Sequence, residues 1–279
     1  MRSLLVAIGL FAFAVTADAR PRAKSSAPNK SKKKATASKP TGGADKARTT
    51  KKAKRVKTKK QRVAFSQRRH RPFEIPRHAA GQSLGAPWHG ALRDAERLPD
   101  HDGYFIRRPW RAFGTTTTVA FVERILLDIV DRFPDIHAIA IGDLSAERGG
   151  RISEHSSHQS GRDIDIGLIF TQRPAGYPES FVNGDADNLD IEATFVLVEE
   201  FARTASEPGG VHMIFLDFEV QGLLYHWALE NGETEEYLAK LFQFPHGNGQ
   251  AVGLVRHEPY HADHLHVRFR CPPTDSACR

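Results

Sequence analysis

Residues 261–270 read HADHLHVRFR and alternate between polar and apolar side chains, which is the pattern of a β-strand. Successive side chains of a strand point to opposite faces of its sheet. The apolar positions, predicted to face the core, are Leu265, Val267 and Phe269. The polar positions, predicted to share the solvated face, are His264, His266, Arg268 and Arg270. Two imidazoles on one face of a strand can bind one metal ion or one substrate. An isolated pair of histidines on a strand, however, is often only part of the solvent-exposed surface.

The residues just before this strand spell H-E-x-x-H at positions 257–261, the pattern that places two zinc ligands and a glutamate base on a helix in zincin proteases. Pro259 lies inside the pattern, where it costs about 3 kcal/mol or more in a helix interior and favours an extended Glu258. We therefore predict a loop here, with His257 and His261 near the site as loop residues. Glu258 stays a secondary candidate for a catalytic base.

A second segment, HSSHQSGRDIDIGL at 155–168, carries the same kinds of side chain. His155 and His158 precede a predicted strand in which Asp163 and Asp165 alternate with isoleucines. One histidine and one aspartate from here, joined to the H-x-H strand, would provide two imidazoles and one carboxylate. That set leaves a fourth tetrahedral position open for water, as a catalytic zinc requires. Taken singly, either aspartate could instead be hydrated or cap a turn.

The rest of the chain from residue 72 has a globular composition with both helical and strand periodicities. We predict helices within 115–134, 188–205 and 233–242, and strands within 137–145, 162–170, 211–218 and 264–270. Because helices and strands interleave irregularly with short gaps between strands, we expect an α+β domain with an antiparallel sheet core and flanking helices.

The first 19 residues have the features of a secretory signal peptide: Arg2, an apolar run over 4–15, and ADA at 17–19. Twelve apolar residues rise only about 18 Å as a helix, against roughly 30 Å of membrane hydrocarbon, which argues against a transmembrane anchor. We expect an exported protein in the periplasm.

Residues 20–71 form a basic segment with 21 lysines and arginines and one acidic residue, whereas residues 72–279 carry a net charge of −13. The basic segment has too few large apolar groups to form a core, so we predict a disordered linker. It would either tether the protein to anionic envelope polymers or act as a passive spacer. Export argues against nucleic acid as its partner.

The chain has two cysteines, Cys271 and Cys278. In an exported protein, a pair this close favours one disulfide, with a two-cysteine zinc site as the alternative.

The segments GGRISEHSSHQSGRDIDIGL (149–168) and HADHLHVRFRCPPTDSACR (261–279) together resemble the penicillin-insensitive murein endopeptidases. That family belongs to a larger group with lysostaphin-type enzymes, D-Ala-D-Ala metallopeptidases and hedgehog signalling domains. FGTTTTVAFVERI (113–125) and AIGDL (140–144) add to the likeness, which extends from about residue 105 to residue 278. It implies a domain of the hedgehog and D-Ala-D-Ala metallopeptidase type.

The resemblance also implies the site residues. Zinc would be held by His158, Asp165 and His266, with His264 beside the attacking water and His261 lining the site as candidate catalytic residues. Imidazole ordinarily titrates near neutral pH, which suits proton transfer. The matching cysteines favour the disulfide.

Three further residues are candidate substrate contacts: His155, Arg151 and Arg268. His155 matches a family histidine that in some members contributes to an accessory metal position. This sequence has no D-x-x-H after the second strand, which argues against a second zinc ion.

The implied activity is zinc-dependent hydrolysis of D-alanyl–meso-diaminopimelyl crosslinks in peptidoglycan. A zinc D,D-carboxypeptidase or amidase on the same scaffold, or a non-catalytic zinc-bearing module that binds the cell wall, are the alternatives.

Overall fold

The computed structural model describes residues 79–279. The predicted signal peptide, the basic linker and the first residues of the predicted domain, 72–78, lie outside the described residues. The described strands are β1 (Gln82–Ala86), β2 (His89–Arg93), β3 (Glu96–Arg97), β4 (Tyr104–Ile106), β5 (Phe113–Gly114), β6 (Ile139–Ile141), β7 (Asp163–Gly167), β8 (Val211–Phe215), β9 (Val255–Arg256) and β10 (His264–Phe269). The helices are α1 (Thr116–Arg132), α2 (Ile191–Arg203), α3 (Phe218–Glu230) and α4 (Glu235–Leu241).

The main sheet has six strands in the order β4-β6-β7-β10-β8-β9. Its centre is antiparallel, but the outer pairs β4–β6 and β8–β9 are parallel. The α+β class is therefore confirmed, and the sheet is mixed: its core is antiparallel as predicted, whereas its outer pairs are parallel. Helix α1 lies in the chain between β4 and β6, and α3 and α4 lie between β8 and β9. These long crossovers return the chain in the same direction, as parallel pairing requires.

The three predicted helices are present and begin at polar caps. The Thr115 hydroxyl accepts a hydrogen bond from the Thr118 amide at the start of α1, and Asp190 and Thr234 cap α2 and α4 in the same way. Such caps satisfy amides that the helix leaves free and stabilise each helix by roughly 1 kcal/mol.

Helix α3 was missed. Its sequence, FEVQGLLYHWALE, has apolar residues on all sides and so lacks the one-sided periodicity of an amphipathic helix. It packs against α2, which also contacts α1 and β8. An all-round apolar helix is consistent with this enclosed position.

The two central strands are largely buried, with β7 buried throughout and His264 and Arg268 of β10 half-buried. Their apolar residues Ile164, Ile166, Leu265 and Val267 join the main hydrophobic core with side chains of α1 and α2. Asp163, Asp165 and His266 are also buried, so the predicted solvated face of β10 reaches solvent only where His264 and Arg268 line a cavity. The loop segments that cover these polar side chains include Leu144 and Ser157, which are themselves buried. Arg270 lies beyond β10, where its guanidinium donates to the Ala205 carbonyl.

The chain end is fixed to the first hairpin. Cys271 and Cys278 form the predicted disulfide, so the two-cysteine zinc site is not formed. Backbone hydrogen bonds join Gly85 to both Ala277 and Arg279 at 2.9 Å. The Arg162 guanidinium donates to the Arg279 carbonyl at 2.7 Å. Within residues 79–279, no helix is both long and apolar enough to cross a membrane.

Candidate metal centre

The H-E-x-x-H segment is a loop between β9 and β10, as predicted. Tyr260 has a positive φ of 67°, which is incompatible with a helix. Nδ1 of His257 accepts the Phe218 amide at 3.0 Å, so this histidine serves the start of α3 and lines neither of the cavities described below. His261 does line the first of them.

Asp165 is the centre of a cluster of imidazoles. In the antiparallel register of β7 and β10, His266 lies directly opposite Asp165. Asp165 Oδ1 is 3.3 Å from His158 Nε2, 3.5 Å from His266 Nδ1 and 3.7 Å from His264 Nε2. Asp165 Oδ2 is 3.8 Å from His155 Nε2. The cross-strand pairing thus brings together side chains that are about 100 residues apart in sequence.

His158 is aimed at Asp165 by its backbone and by its other ring nitrogen. It has a positive φ of 62°, and its amide donates to Asp163 Oδ2 at 3.1 Å. Nδ1 lies 2.9 Å from the Leu144 carbonyl, which can only accept a hydrogen bond. A neutral His158 therefore carries its proton on Nδ1 and presents the Nε2 lone pair to Asp165.

His266 is oriented in the complementary way. Its Nε2 is 3.0 Å from Asp163 Oδ1, an ionised carboxylate that accepts the ring proton. The lone pair on Nδ1 then points towards Asp165. Asp163 also accepts the Arg268 Nε–H at 2.7 Å, so one buried carboxylate fixes groups on both strands.

The electrostatics of the cluster favour anionic aspartates. Burial alone would raise the pKa of Asp165, but the charge of His158 and the other imidazoles lower it well below its usual range. Burial likewise opposes protonation of His158, yet the negative charge of Asp165 raises the pKa of His158 to about 9. Burial lowers the pKa of His266, which keeps this ring neutral at neutral pH, the form that binds metals.

The donor atoms fit a metal ion. His158 Nε2 and Asp165 Oδ1 are buried and have no hydrogen-bond partner among the described residues, since their 3.3 Å contact lacks hydrogen-bond geometry. Buried polar atoms without a partner are costly, and a cation would satisfy both. Ligand atoms of His155, His158 and Asp165 all lie within 4.8 Å of one another. The structure thus adds His155 to the predicted donors.

A second group, Asp143, Glu154 and His155, is equally close together. Its carboxylates already have cationic partners: Arg111 and Arg108 lie 2.8 and 3.2 Å from Asp143, and Arg108 lies 2.6 Å from Glu154. His155 Nε2 is 2.9 Å from the same Asp143 oxygen. We interpret this group as an ion-pair network in which Asp143 holds the His155 ring in position, rather than as a second metal site.

The two predicted catalytic histidines lie together at the edge of the cluster. Their ring centroids are 4.6 Å apart. His264 Nδ1 is 2.5 Å from Asp263 Oδ1, so Nε2 is the nitrogen that faces Asp165. His261 Nδ1 is 2.9 Å from the Pro259 carbonyl. Burial and the neighbouring His264 lower the pKa of His261.

Two cavities meet at this cluster. The first, of about 440 Å³, is lined by Phe215, Glu258, Tyr260 and Arg268 in addition to the histidines. The second, of about 300 Å³, is lined by Arg107, Arg108, Phe181 and Asp263. Asp165 and His264 line both, so an elongated molecule can extend past the cluster on two sides.

Of the predicted substrate contacts, His155 and Arg268 line a cavity, whereas Arg151 is exposed and lines neither. Sequence reasoning missed Asp143, Phe181 and Arg107. Phe181 lies in an irregular loop without periodicity, and Arg107 is one of three arginines within 107–111 that nothing in the sequence distinguishes. Asp263 could have been found, because an acidic residue directly before a catalytic histidine is a candidate to orient it.

This α+β protein thus has imidazoles and a carboxylate in a buried cluster beside an open groove. That arrangement defines a candidate metal centre. A family model described as penicillin-insensitive murein endopeptidase matches residues 83–205, which include His155, His158 and Asp165. The chain is 28% identical over 214 residues to a penicillin-insensitive murein endopeptidase of Klebsiella pneumoniae, with 73% of this chain and 71% of the relative covered. Proteins of the same description from Salmonella arizonae and Salmonella paratyphi B are 28% and 27% identical with the same coverage.

The family model and these relatives together support the resemblance of this chain to the penicillin-insensitive murein endopeptidases. The match to the family model ends before β10, so His264 and His266 lie outside it.

Proposed function

We propose that this protein is an exported zinc-dependent endopeptidase that hydrolyses peptide crosslinks of peptidoglycan, of the D-alanyl–meso-diaminopimelyl type. The observation that carries the proposal is that His158 Nε2, His266 Nδ1 and His264 Nε2 all face one carboxylate oxygen, Asp165 Oδ1, at 3.3, 3.5 and 3.7 Å. The signal-peptide pattern would deliver the enzyme to the periplasm, next to its polymer. The basic segment 20–71 would hold it near anionic envelope polymers.

His158, Asp165 and His266 would hold the zinc ion and leave its fourth position to water, with His155 nearby, where Asp143 holds its Nε2. Two neutral imidazoles and one carboxylate leave a net charge near +1 on such a site. When bound, zinc polarises a carbonyl and lowers the pKa of a bound water to about 7. Asp163 keeps His266 in the tautomer that presents Nδ1, and the Leu144 carbonyl does the same for Nε2 of His158.

His264 is the residue that would move the proton. Its Nδ1 faces Asp263, so Nε2 is directed at the reacting groups. In this role His264 accepts a proton from the attacking water and donates it to the leaving amine. Asp263 would orient the ring and stabilise its protonated form, as the acidic member of a catalytic triad does.

His261 is the second proton-carrier candidate, because its lowered pKa keeps it neutral and able to accept a proton at neutral pH. Glu258 is exposed beside the first cavity and is better placed to contact substrate than to act as base. Arg268 lines the same cavity as a candidate contact for substrate carboxylates.

The two cavities favour an endopeptidase over a carboxypeptidase. A carboxypeptidase needs a groove that closes shortly beyond the scissile bond, whereas an enzyme that cuts a crosslink must accept chain on both sides. Here space continues on both sides of Asp165 and His264.

The test is digestion of purified crosslinked muropeptides, with products identified by mass spectrometry. We expect conversion of crosslinked dimers to monomers, loss of this activity on adding a chelator, and its return with zinc. Release of terminal D-alanine would indicate a D,D-carboxypeptidase, and separation of peptide from sugar would indicate an amidase. If the protein bound zinc and sacculi but cleaved neither the sacculi nor the muropeptides, it would be a binding module.

A further inference from the structure

The second cavity contains an arginine without an anionic partner. Arg108 and Arg111 both donate to Asp143, whereas Arg107 donates through Nε to the Glu179 carbonyl at 3.0 Å. Within residues 79–279, no carboxylate lies within ion-pair distance of Arg107. A half-buried guanidinium thus faces the cavity with its charge unpaired.

The orientation of Arg107 leaves its hydrogen-bonding edge available. The guanidinium carbon lies 4.1 Å from the centroid of the Phe181 ring, over its face. Stacking on an aromatic ring occupies the flat face of a guanidinium, and with Nε bonded to Glu179 the two terminal Nη groups remain to bind a carboxylate. Burial and the nearby Arg108 lower the pKa of Arg107, and the negative charges of Asp143, Asp165 and Asp263 offset this only in part.

Phe181 connects this arginine to the candidate proton carrier. Its ring also stacks on His264, with centroids 4.8 Å apart and planes 11° apart. Arg107, Phe181 and His264 all line the second cavity. A group bound at Arg107 therefore lies one aromatic ring away from the residue that would protonate the leaving nitrogen.

The substrate of the proposed function carries a matching group. Each amino-bearing carbon of meso-diaminopimelate also bears a carboxyl group, so a crosslink made through one amine leaves a free carboxylate on the carbon bonded to the scissile nitrogen. When His264 reaches that nitrogen, the second cavity is the adjacent space that can receive this carboxylate.

We propose that Arg107, stacked on Phe181, binds the carboxylate next to the scissile nitrogen. It thereby selects which residue the enzyme accepts on the amine side of the cleaved bond. This inference rests on the proposed endopeptidase function. Arg107 is a specificity residue in it, since its side chain contacts the Glu179 carbonyl and the Phe181 ring and none of the proposed metal donors among the described residues.

The experiment uses two synthetic crosslinked peptides that differ only at this carboxylate, one with the free acid and one with the carboxamide. Cleavage of both is measured for the wild type, Arg107→Ala and Arg107→Lys. Arg93→Ala is the matched control, because Arg93 is exposed on β2 and lines neither cavity. Zinc content of every variant reports whether the site is folded.

We expect the wild type and Arg93→Ala to prefer the free acid by about tenfold or more in kcat/KM, since a hydrogen-bonded charge pair is lost with the amide. Arg107→Ala should cleave both peptides at the rate of the amide, with unchanged zinc content, and Arg107→Lys should keep part of the preference. A preference that survives in Arg107→Ala, or its absence in an active wild type, would overturn this inference and leave the endopeptidase function standing. A zinc-loaded wild type that cleaves neither peptide would overturn both.

Discussion

Asp163 shows how much of the centre depends on a single carboxylate. It accepts hydrogen bonds from His266 Nε2, Arg268 Nε and the His158 amide, and it is fully buried. Burial opposes its charge, but these partners, with the imidazole of His266 first, lower the pKa of Asp163 far below its usual range. An anionic Asp163 is therefore part of the site at every working pH.

Replacement of Asp163 by asparagine should weaken zinc binding by about 10- to 100-fold, the usual effect of removing a carboxylate that orients a ligating histidine. Zinc titration against a chromophoric chelator measures this. Asp100→Asn is the matched control, because the Asp100 side chain is 76% exposed and pairs only with Arg97 at the surface. An unchanged affinity in Asp163→Asn would show that His266 does not depend on this carboxylate.

Replacing His264 and His158 separately should distinguish the loss of catalysis from the loss of metal binding. His264→Ala should retain zinc and lose turnover by about 100-fold or more, the usual contribution of a positioned acid–base group. His158→Ala should lose both, because it removes a buried donor atom of the proposed site. Metal analysis and muropeptide cleavage of the two purified variants test this division. If His264→Ala also lost its zinc, His264 would be a ligand rather than a proton carrier.

At the scale of elements, the sequence was informative wherever periodicity was strong. Strand β10 and helices α1, α2 and α4 follow from alternation or from capped amphipathic patterns. Helix α3 could not be predicted because its apolar residues surround it, and the parallel outer strands are too short to carry a pattern.

The candidate site was predictable in part for the same reason. Residues on strands or beside them, such as Asp165 and His266, follow from alternation and family resemblance. His155, Phe181 and Arg107 acquire their positions from loops, whose paths depend on long-range packing rather than on local sequence. The burial of His266 was also missed, because strand alternation says nothing about which loops cover a face.

The contact between β6 and β7 provides a test of how tightly the elements hold the centre. Gly142 directly follows β6, and its amide donates to the Asp165 carbonyl at 2.8 Å. A Cβ at this position would lie 2.8 Å from the Phe181 ring and 2.9 Å from Asp165 Cβ.

Gly142→Ala should therefore displace Asp165 and Phe181. We expect a loss of about 1–3 kcal/mol in the free energy of unfolding, typical of overpacking, together with weaker zinc binding. Gly249→Ala is the control, because no atom lies within 4 Å of its added Cβ. Chemical denaturation and zinc titration measure both effects, and equal behaviour of the two variants would contradict the close packing at Gly142.

For the whole molecule, metal binding and protonation should be linked. In the metal-free protein the pKa of His158 is about 9, so this ring binds a proton at neutral pH. The pKa of His266 is lowered and that of Asp165 lies far below its usual range. At neutral pH neither side chain therefore carries a proton that the metal would have to displace. A metal ion must displace the proton of His158.

Zinc affinity should then rise about tenfold per pH unit or more below pH 9, with one proton released from His158 and a further fraction from the zinc-bound water at pH 7. Isothermal titration calorimetry in buffers of different ionisation enthalpy counts the protons. A proton count of zero at pH 7 would contradict the protonation of His158 in the metal-free protein.

The central claim is that the cross-strand register of β7 and β10 assembles one zinc site from distant parts of the chain. Anomalous diffraction at the zinc absorption edge, from crystals of the purified protein, tests it most directly. We predict one strong peak about 2.0–2.2 Å from His158 Nε2, His266 Nδ1 and an Asp165 carboxylate oxygen. A zinc-containing crystal whose anomalous peak lies away from these three side chains would contradict the account.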